Sequence, residues 1–184
     1  KLVQCPRVSL KAHRKPCHSP IALTGMVVES VVTQSIVKCK VPFLMNLSKT
    51  SAWSESEVRS FLASSTIPMR IATTTDSYPT LCSVWYLFDE QQGDLLCVSH
   101  EKSQLVSDLM ANQKCSFEIA PNDPPYYGVR GKAVVTLSKD KALETLTTLM
   151  PRYLGGTESR LAKWLIGRSD EEYVLRLKPV QVTS

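Results

Sequence analysis

From residue 53 onward, the spacing of apolar positions switches repeatedly between the helical and the extended period. Trp53-Ser54-Glu55-Ser56-Glu57-Val58 holds a capping box, Ser54 with Glu57, and a staple pair, Trp53 with Val58, so a helix starts there. Val58, Phe61 and Leu62 give that helix one apolar face, and Pro68 ends it. Met69–Thr75 is rich in β-branched residues, Asp76-Ser77-Tyr78-Pro79 supplies a polar turn, and Leu81–Phe88 resumes an apolar and aromatic run. An antiparallel hairpin over Ile67 to Phe88 is the economical reading. The polar turn Asp89–Asp94 around Gly93 leads to a third strand, Leu95–Ser99, and then to a helix with Leu105, Val106, Leu109 and Met110 on one face.

Further along, Lys114–Ala120 predicts a fourth strand and Tyr126–Leu137 a longer one, in which Gly128 and Gly131 mark a bulge or a close backbone approach. Ser138 caps a predicted helix over Lys139–Met150 with Ala142, Leu143, Leu146 and Leu149 buried, and the stretch Arg152–Gly156 stops it. Thr157 caps a short helix over Glu158–Ile166. Glu172–Leu177 alternates as a strand does, and Val180–Thr183 extends it past Pro179. Strand–turn–strand units interrupted by short helices argue for a mainly β fold of the α+β class. The expected form is a small closed or half-closed antiparallel barrel with peripheral helices.

Composition divides the chain. Its 184 residues, 43% hydrophobic, are enough for one ordinary core, placed at residues 45–184. Residues 1–44 hold seven Lys and Arg against one acid, Glu29, and leave 15 of the chain's 22 basic and 16 of its 17 acidic residues to the rest. The folded part is therefore near neutral, with no basic stripe for nucleic acid. The basic extension is expected to be poorly ordered or non-native, with Met45 the favoured natural start and a transit-like peptide the other reading. Its apolar run Ile21–Val28 is too short to span a membrane. Cys82, Cys97 and Cys115 fall in predicted strands as small apolar residues, and a reducing, cytoplasmic setting fits. Cys5, Cys17-His18 and Cys39 lack the paired spacing of a metal site.

Candidate chemistry starts at Arg70, a cation opening an otherwise uncharged strand beside Thr73, Thr74 and Thr75. A fixed guanidinium with neighbouring hydroxyls can hold a phosphate; an Arg reaching solvent from a strand end is the other reading. The junction from Ser99 through Lys102 and Ser103 into a helix favours an anion through free backbone N–H groups, although either Ser serves equally as an N-cap. Arg130 either faces the site or pairs with an acid, and Trp164 either belongs to core or interface or faces a ligand. His100 is read as solvated on a turn. No nucleophile triad, zinc-protease motif or paired carboxylates assemble.

Arg70-Ile71-Ala72-Thr73, the turn with Pro79, and Ser83-Val84-Trp85-Tyr86 resemble the opening hairpin of the pyridoxamine 5′-phosphate oxidase-like family, the flavin-binding split barrels. The resemblance continues through Leu96-Cys97-Val98-Ser99, the helix leading to Asn112, and Gly128-Val129-Arg130-Gly131-Lys132-Ala133, and so spans roughly Ser54 to Val182. It implies an antiparallel split β-barrel that dimerises, with FMN at the interface, acting as an oxidoreductase on a small molecule. It also implies that Arg70, Thr73, Ser99 and Lys102 meet the phosphate and that Ser83, Val84 and Trp85 lie against the ring system, with Ile71, Ala72, Ser103 and Gln104 completing the cofactor set. The sequence departs from the pattern at Gln104 and Leu105, where the family usually places a basic residue, often Lys. Relatives commonly continue with an aromatic and basic tail near the cofactor, and no such contribution is expected beyond Ser184. A deazaflavin- or haem-binding barrel, or a cofactor-free dimeric interaction module, are the alternatives.

Overall fold

The computed structural model describes residues 45–75 and 78–184. The readings made on residues 1–44, their cysteines included, and on Asp76 and Ser77 of the hairpin turn lie outside the described residues.

Helix α1 (Glu55–Ser64) starts on the predicted capping box: the Ser54 hydroxyl accepts from the Glu57 N–H, and the Glu57 carboxylate accepts from the Ser54 N–H at 2.8 Å. Val58 and Leu62 are buried, and the Trp53 ring packs on Phe61 with centroids 5.2 Å apart. The hairpin follows as β1 (Met69–Thr74) and β2 (Pro79–Val84), antiparallel with Arg70 opposite Ser83 and Thr73 opposite Thr80. The apolar run beyond Leu81 is not one strand. β2 stops at Val84 and β3 (Leu87–Asp89) begins after Trp85-Tyr86, because Tyr86 turns inward, is fully buried, and donates its hydroxyl to the Leu62 carbonyl at 3.0 Å.

After β4 (Asp94–His100) come α2 (Gln104–Ala111), β5 (Lys114–Ile119) and β6 (Val129–Ser138). Helix α3 (Ala142–Leu154), α4 (Arg160–Ile166), a 3-10 turn at Ser169–Glu171 and β7 (Glu172–Thr183) complete the chain. The seven strands form one antiparallel sheet in the order β2-β1-β5-β6-β7-β4-β3. Its two edge strands, β2 and β3, are joined by only two residues, so the sheet curls back on itself into a half-barrel. Between the free edge of β2 and β4 there is no ladder, and this open seam is the split.

Several expectations are corrected. Ser138 does not cap α3; its hydroxyl accepts from the Asp140 N–H, and Lys141 takes the cap position with φ 63°. The helix does not stop at Met150. It runs past Pro151 to Gly155 at φ 75°, because Arg152 and Tyr153 are anchored to neighbouring elements. Ser159, not Thr157, caps α4, accepting from the Ala162 N–H at 3.1 Å. Leu143 and Met110 are exposed, while Thr145 and Asp108 are buried in their helices.

The core gathers Leu62, Met69, Ile71, Leu95, Leu175 and Leu177, each fully buried. Each such side chain contributes about 1.5–3 kcal/mol relative to exposure. β6 passes so close to its neighbours that a Cβ on Gly131 would lie 2.5 Å from the Gln181 carbonyl and 2.8 Å from the Phe117 ring. The register shift between Lys132 and Ala133 places Pro179 opposite Ala133, so close approach and bulge occur together. Met45 is a core residue, and Leu47 bridges β7 at Val182. No helix among the described residues is long and apolar enough to cross a membrane.

Candidate functional site

The seam opens into a cleft of about 440 Å³ between the free edge of β2 and the C-terminal end of β4, with α3 and α4 forming one side. An edge strand offers main-chain donors and acceptors that no neighbouring strand takes up. Val84, Trp85, Val98, Leu146, Leu149 and Leu165 make the apolar flank, and Trp85 is held in place by stacking on Tyr153 at 5.2 Å and 11°. Tyr153 is itself fixed: its hydroxyl lies 3.2 Å from the Tyr86 N–H and 3.3 Å from the Tyr86 carbonyl. Next to it, Arg152 donates to the carbonyls of Ala63 (2.8 Å), Leu62 and Ser65. The last turn of α1 carries no basic residue, so this guanidinium from α3 is what answers the negative end of the helix.

The polar end of the cleft is built at the β4–α2 junction. Ser103 caps α2, accepting from the Val106 N–H at 3.2 Å, and its hydroxyl meets that of Ser99 at 2.8 Å. Ser83 borders this end from the edge of β2. His100 is not on a turn but ends β4, half-buried. Its Nδ1 accepts from the Lys102 N–H at 3.1 Å, which leaves the proton on Nε2, and that nitrogen faces Glu171 at 2.8 Å. Arg168 and Glu172 complete the polar wall, with Arg168 Nη2 2.8 Å from Glu172 Oε1.

Five of the residues singled out in the sequence therefore meet in one cleft: Ser83, Val84, Trp85, Ser99 and Ser103. The others do not join them. Ile71 is core, and Thr73 is buried with its hydroxyl donating to Asp108 Oδ2 at 2.7 Å. Gln104 donates to the other oxygen of Asp108 at 2.6 Å. These two hydrogen bonds, Gln104 first, hold the Asp108 carboxyl below the usual carboxylate range against the opposing effect of burial. The trio thus pins α2 to β1 across the barrel interior. Lys102 is exposed on the turn and does not line the cleft.

Arg70 and Thr73 point to opposite faces of β1, since three residues along a strand reverse the side. Arg70 and Ala72 line a second cleft, of about 450 Å³, on the outer face of the barrel with Arg130 and Lys132. There the Arg70 guanidinium donates to the Ala120 carbonyl at 3.2 Å and to Asn122, and pairs with Glu118 at 3.4 Å. Arg130 belongs to this outer face rather than to the seam. Trp164 is exposed, with the Arg168 guanidinium 3.8 Å above its ring.

Sequence reading missed His100, Arg168 and Glu172 and the helical flank from α3 and α4. A signal existed for one of them: Glu172 opens an apolar strand, a position at which a carboxylate is buried only if something compensates it.

No protein-family model matches the chain, and no curated protein matches it in sequence. Solved structures do resemble it. A conserved hypothetical protein from Mycobacterium tuberculosis superposes at a TM-score of 0.62 with 19% identity, over 76% of this chain and 88% of the other. An F420 reductase gives 0.56 and 18% over 66% and 93% of the two chains. A protein from Listeria innocua named as a candidate pyridoxamine 5′-phosphate oxidase gives 0.53 and 12% over 69% and 94%. Further neighbours carry names recording haem storage or FAD binding. At these identities the likeness establishes the fold, an antiparallel split β-barrel, and the resemblance read from the sequence is met at that level.

Proposed function

With the split-barrel fold as premise, we propose that this chain is an FMN-dependent oxidoreductase acting on a small molecule, working as a homodimer with its flavin clefts at the subunit interface. The observation that carries the reading is the convergence of Ser83, Val84, Trp85, Ser99 and Ser103, from three separate elements, on the seam cleft. Its volume lies within the range of small-molecule and cofactor sites. An apolar flank suits a flat ring system, and hydroxyls with a guanidinium suit a phosphomonoester. Arg168 Nε, buried and without a hydrogen-bond partner, is a donor that a ligand would satisfy. Flavin supplies the redox chemistry when bound; the residues of the seam bind, orient and shield it. Names among the structural neighbours that record F420 reduction, FAD binding and haem storage support a redox cofactor in general. A reducing, cytoplasmic location is part of the proposal, supported by the free thiols of Cys82, Cys97 and Cys115.

One observation favours a second reading, a cofactor-free dimeric interaction module. Where the resemblance calls for a cation, Gln104 is engaged with Asp108 and Lys102 stays on the exposed turn. Titration of purified protein with FMN, followed by its visible spectrum and fluorescence, separates the two. The flavoprotein reading expects saturable binding at one flavin per chain, and a protein that leaves FMN free at every concentration selects the module. Deazaflavin and haem are distinguished in the same experiment by their own absorbance bands.

A further inference from the structure

Arg168 and Glu172 form the least satisfied polar pair among the described residues. The Glu172 side chain is 2% exposed and that of Arg168 26%, and they approach to 2.8 Å. Yet neither Arg168 Nε nor Glu172 Oε1 has a hydrogen-bond partner, so the guanidinium meets the carboxylate out of alignment. Arg152 Nε is also buried without a partner, but its other nitrogens already serve three carbonyls. Arg168 differs in lining the seam alongside Ser83, Ser99 and Ser103. Its plane is held over Trp164, which fixes the fork without consuming a donor. A buried donor left unpaired is costly unless a ligand completes it.

The geometry points to Arg168 as the cation that receives the phosphate of the seam ligand, with Glu172 as the positioning residue that keeps the guanidinium in the cleft. This rests on the flavin-nucleotide reading above and deepens it, because it moves the phosphate end away from Arg70 and Lys102. A guanidinium offers a planar pair of N–H donors matched to two phosphate oxygens, and the neighbouring hydroxyls supply further donors. Of the other titratable groups near this end, His100 and Glu171 face each other. Arg168 is therefore the cation at hand.

The test compares FMN with riboflavin, which has the same ring and lacks the phosphate, by quenching of flavin fluorescence. Wild type is expected to bind FMN more tightly than riboflavin. Arg168→Gln should weaken FMN by about 10- to 100-fold and leave riboflavin within about 2-fold. Arg168→Lys should restore part of the loss. Because Arg168→Gln strands the Glu172 carboxylate in the interior, the double variant Arg168→Gln/Glu172→Gln, in which neither charge remains, provides a folded comparison checked by thermal melting. It should show the same loss of preference for FMN. Equal weakening of both ligands, or unchanged FMN affinity in a folded variant, overturns the assignment while the flavin reading stands. A wild type that binds neither ligand overturns the flavin reading and this assignment together.

Discussion

The seam and the outer face of this barrel each carry an arginine beside a glutamate, and the two pairs are finished differently. On the outer face, Arg70 sits on a strand whose neighbour supplies everything a guanidinium needs: Glu118 across the ladder, then the Ala120 carbonyl and the Asn122 side chain. Both partners remain partly exposed, so the ion pair itself contributes no more than about 1 kcal/mol. In the seam, Arg168 has a buried carboxylate and an aromatic face but lacks an aligned acceptor at Nε. The difference lies in the backbone. A ladder brings acceptors at regular intervals, whereas a junction between a helix and a strand leaves gaps, and gaps are where ligands complete the bonding.

The most forceful way to break this comparison is to fill the seam. Ser83→Trp on the exposed edge of β2 should leave the melting temperature within a few degrees and reduce FMN affinity by about 100-fold or more. Unchanged affinity in that variant would place the ligand elsewhere. Next in size is the wall behind the seam. Arg152→Met removes a donor from three carbonyls at the C-terminal end of α1, Leu62, Ala63 and the cap residue Ser65, and should cost about 2–4 kcal/mol in a denaturant titration.

A smaller effect sharpens the account of Thr73 and Gln104. Asp108→Asn forfeits one of two hydrogen bonds and should cost about 1–2 kcal/mol at neutral pH. The folded carboxyl titrates below its unfolded value of about 3.9, so its stabilisation is complete above that pH and is lost as pH falls through the lower folded value. The gap in urea midpoint between wild type and Asp108→Asn should therefore start to narrow below about pH 4 and close as pH falls through the folded value. The smallest effect is expected on the outer face: Arg70→Gln should change FMN affinity by less than about 2-fold and stability by less than about 1 kcal/mol. A large loss of FMN there would return the phosphate to Arg70.

What the sequence made legible follows the range of the interactions involved. The capping box at Ser54, the first hairpin and the strand at Lys114 depend on neighbours a few residues away, and they were readable. Half of the site was readable too, because Ser83 to Trp85 and Ser99 belong to the short motifs that carry the resemblance and Ser103 sits at a helix start visible from local spacing. The rest was not. Arg168 and Glu172 reach the seam only because β7 lies beside β4, with Glu172 in register with His100, a pairing across more than seventy positions. The misplacement of Arg70 beside Thr73 had a nearer cause, since the two-residue period of a strand already separates them. Trp85-Tyr86 read as strand because aromatic residues favour extended structure, and only burial of Tyr86 against α1 reveals the corner.

That corner also acts as a ruler. Three peptide units separate the Cα atoms of Val84 and Leu87, so the edges of β2 and β3 that meet at this corner of the seam cannot stand more than about 11 Å apart, however the side chains rearrange. Covalent reach therefore limits the thickness of whatever is admitted at that end. The far end, bounded by a turn and two helices, is free to differ in size.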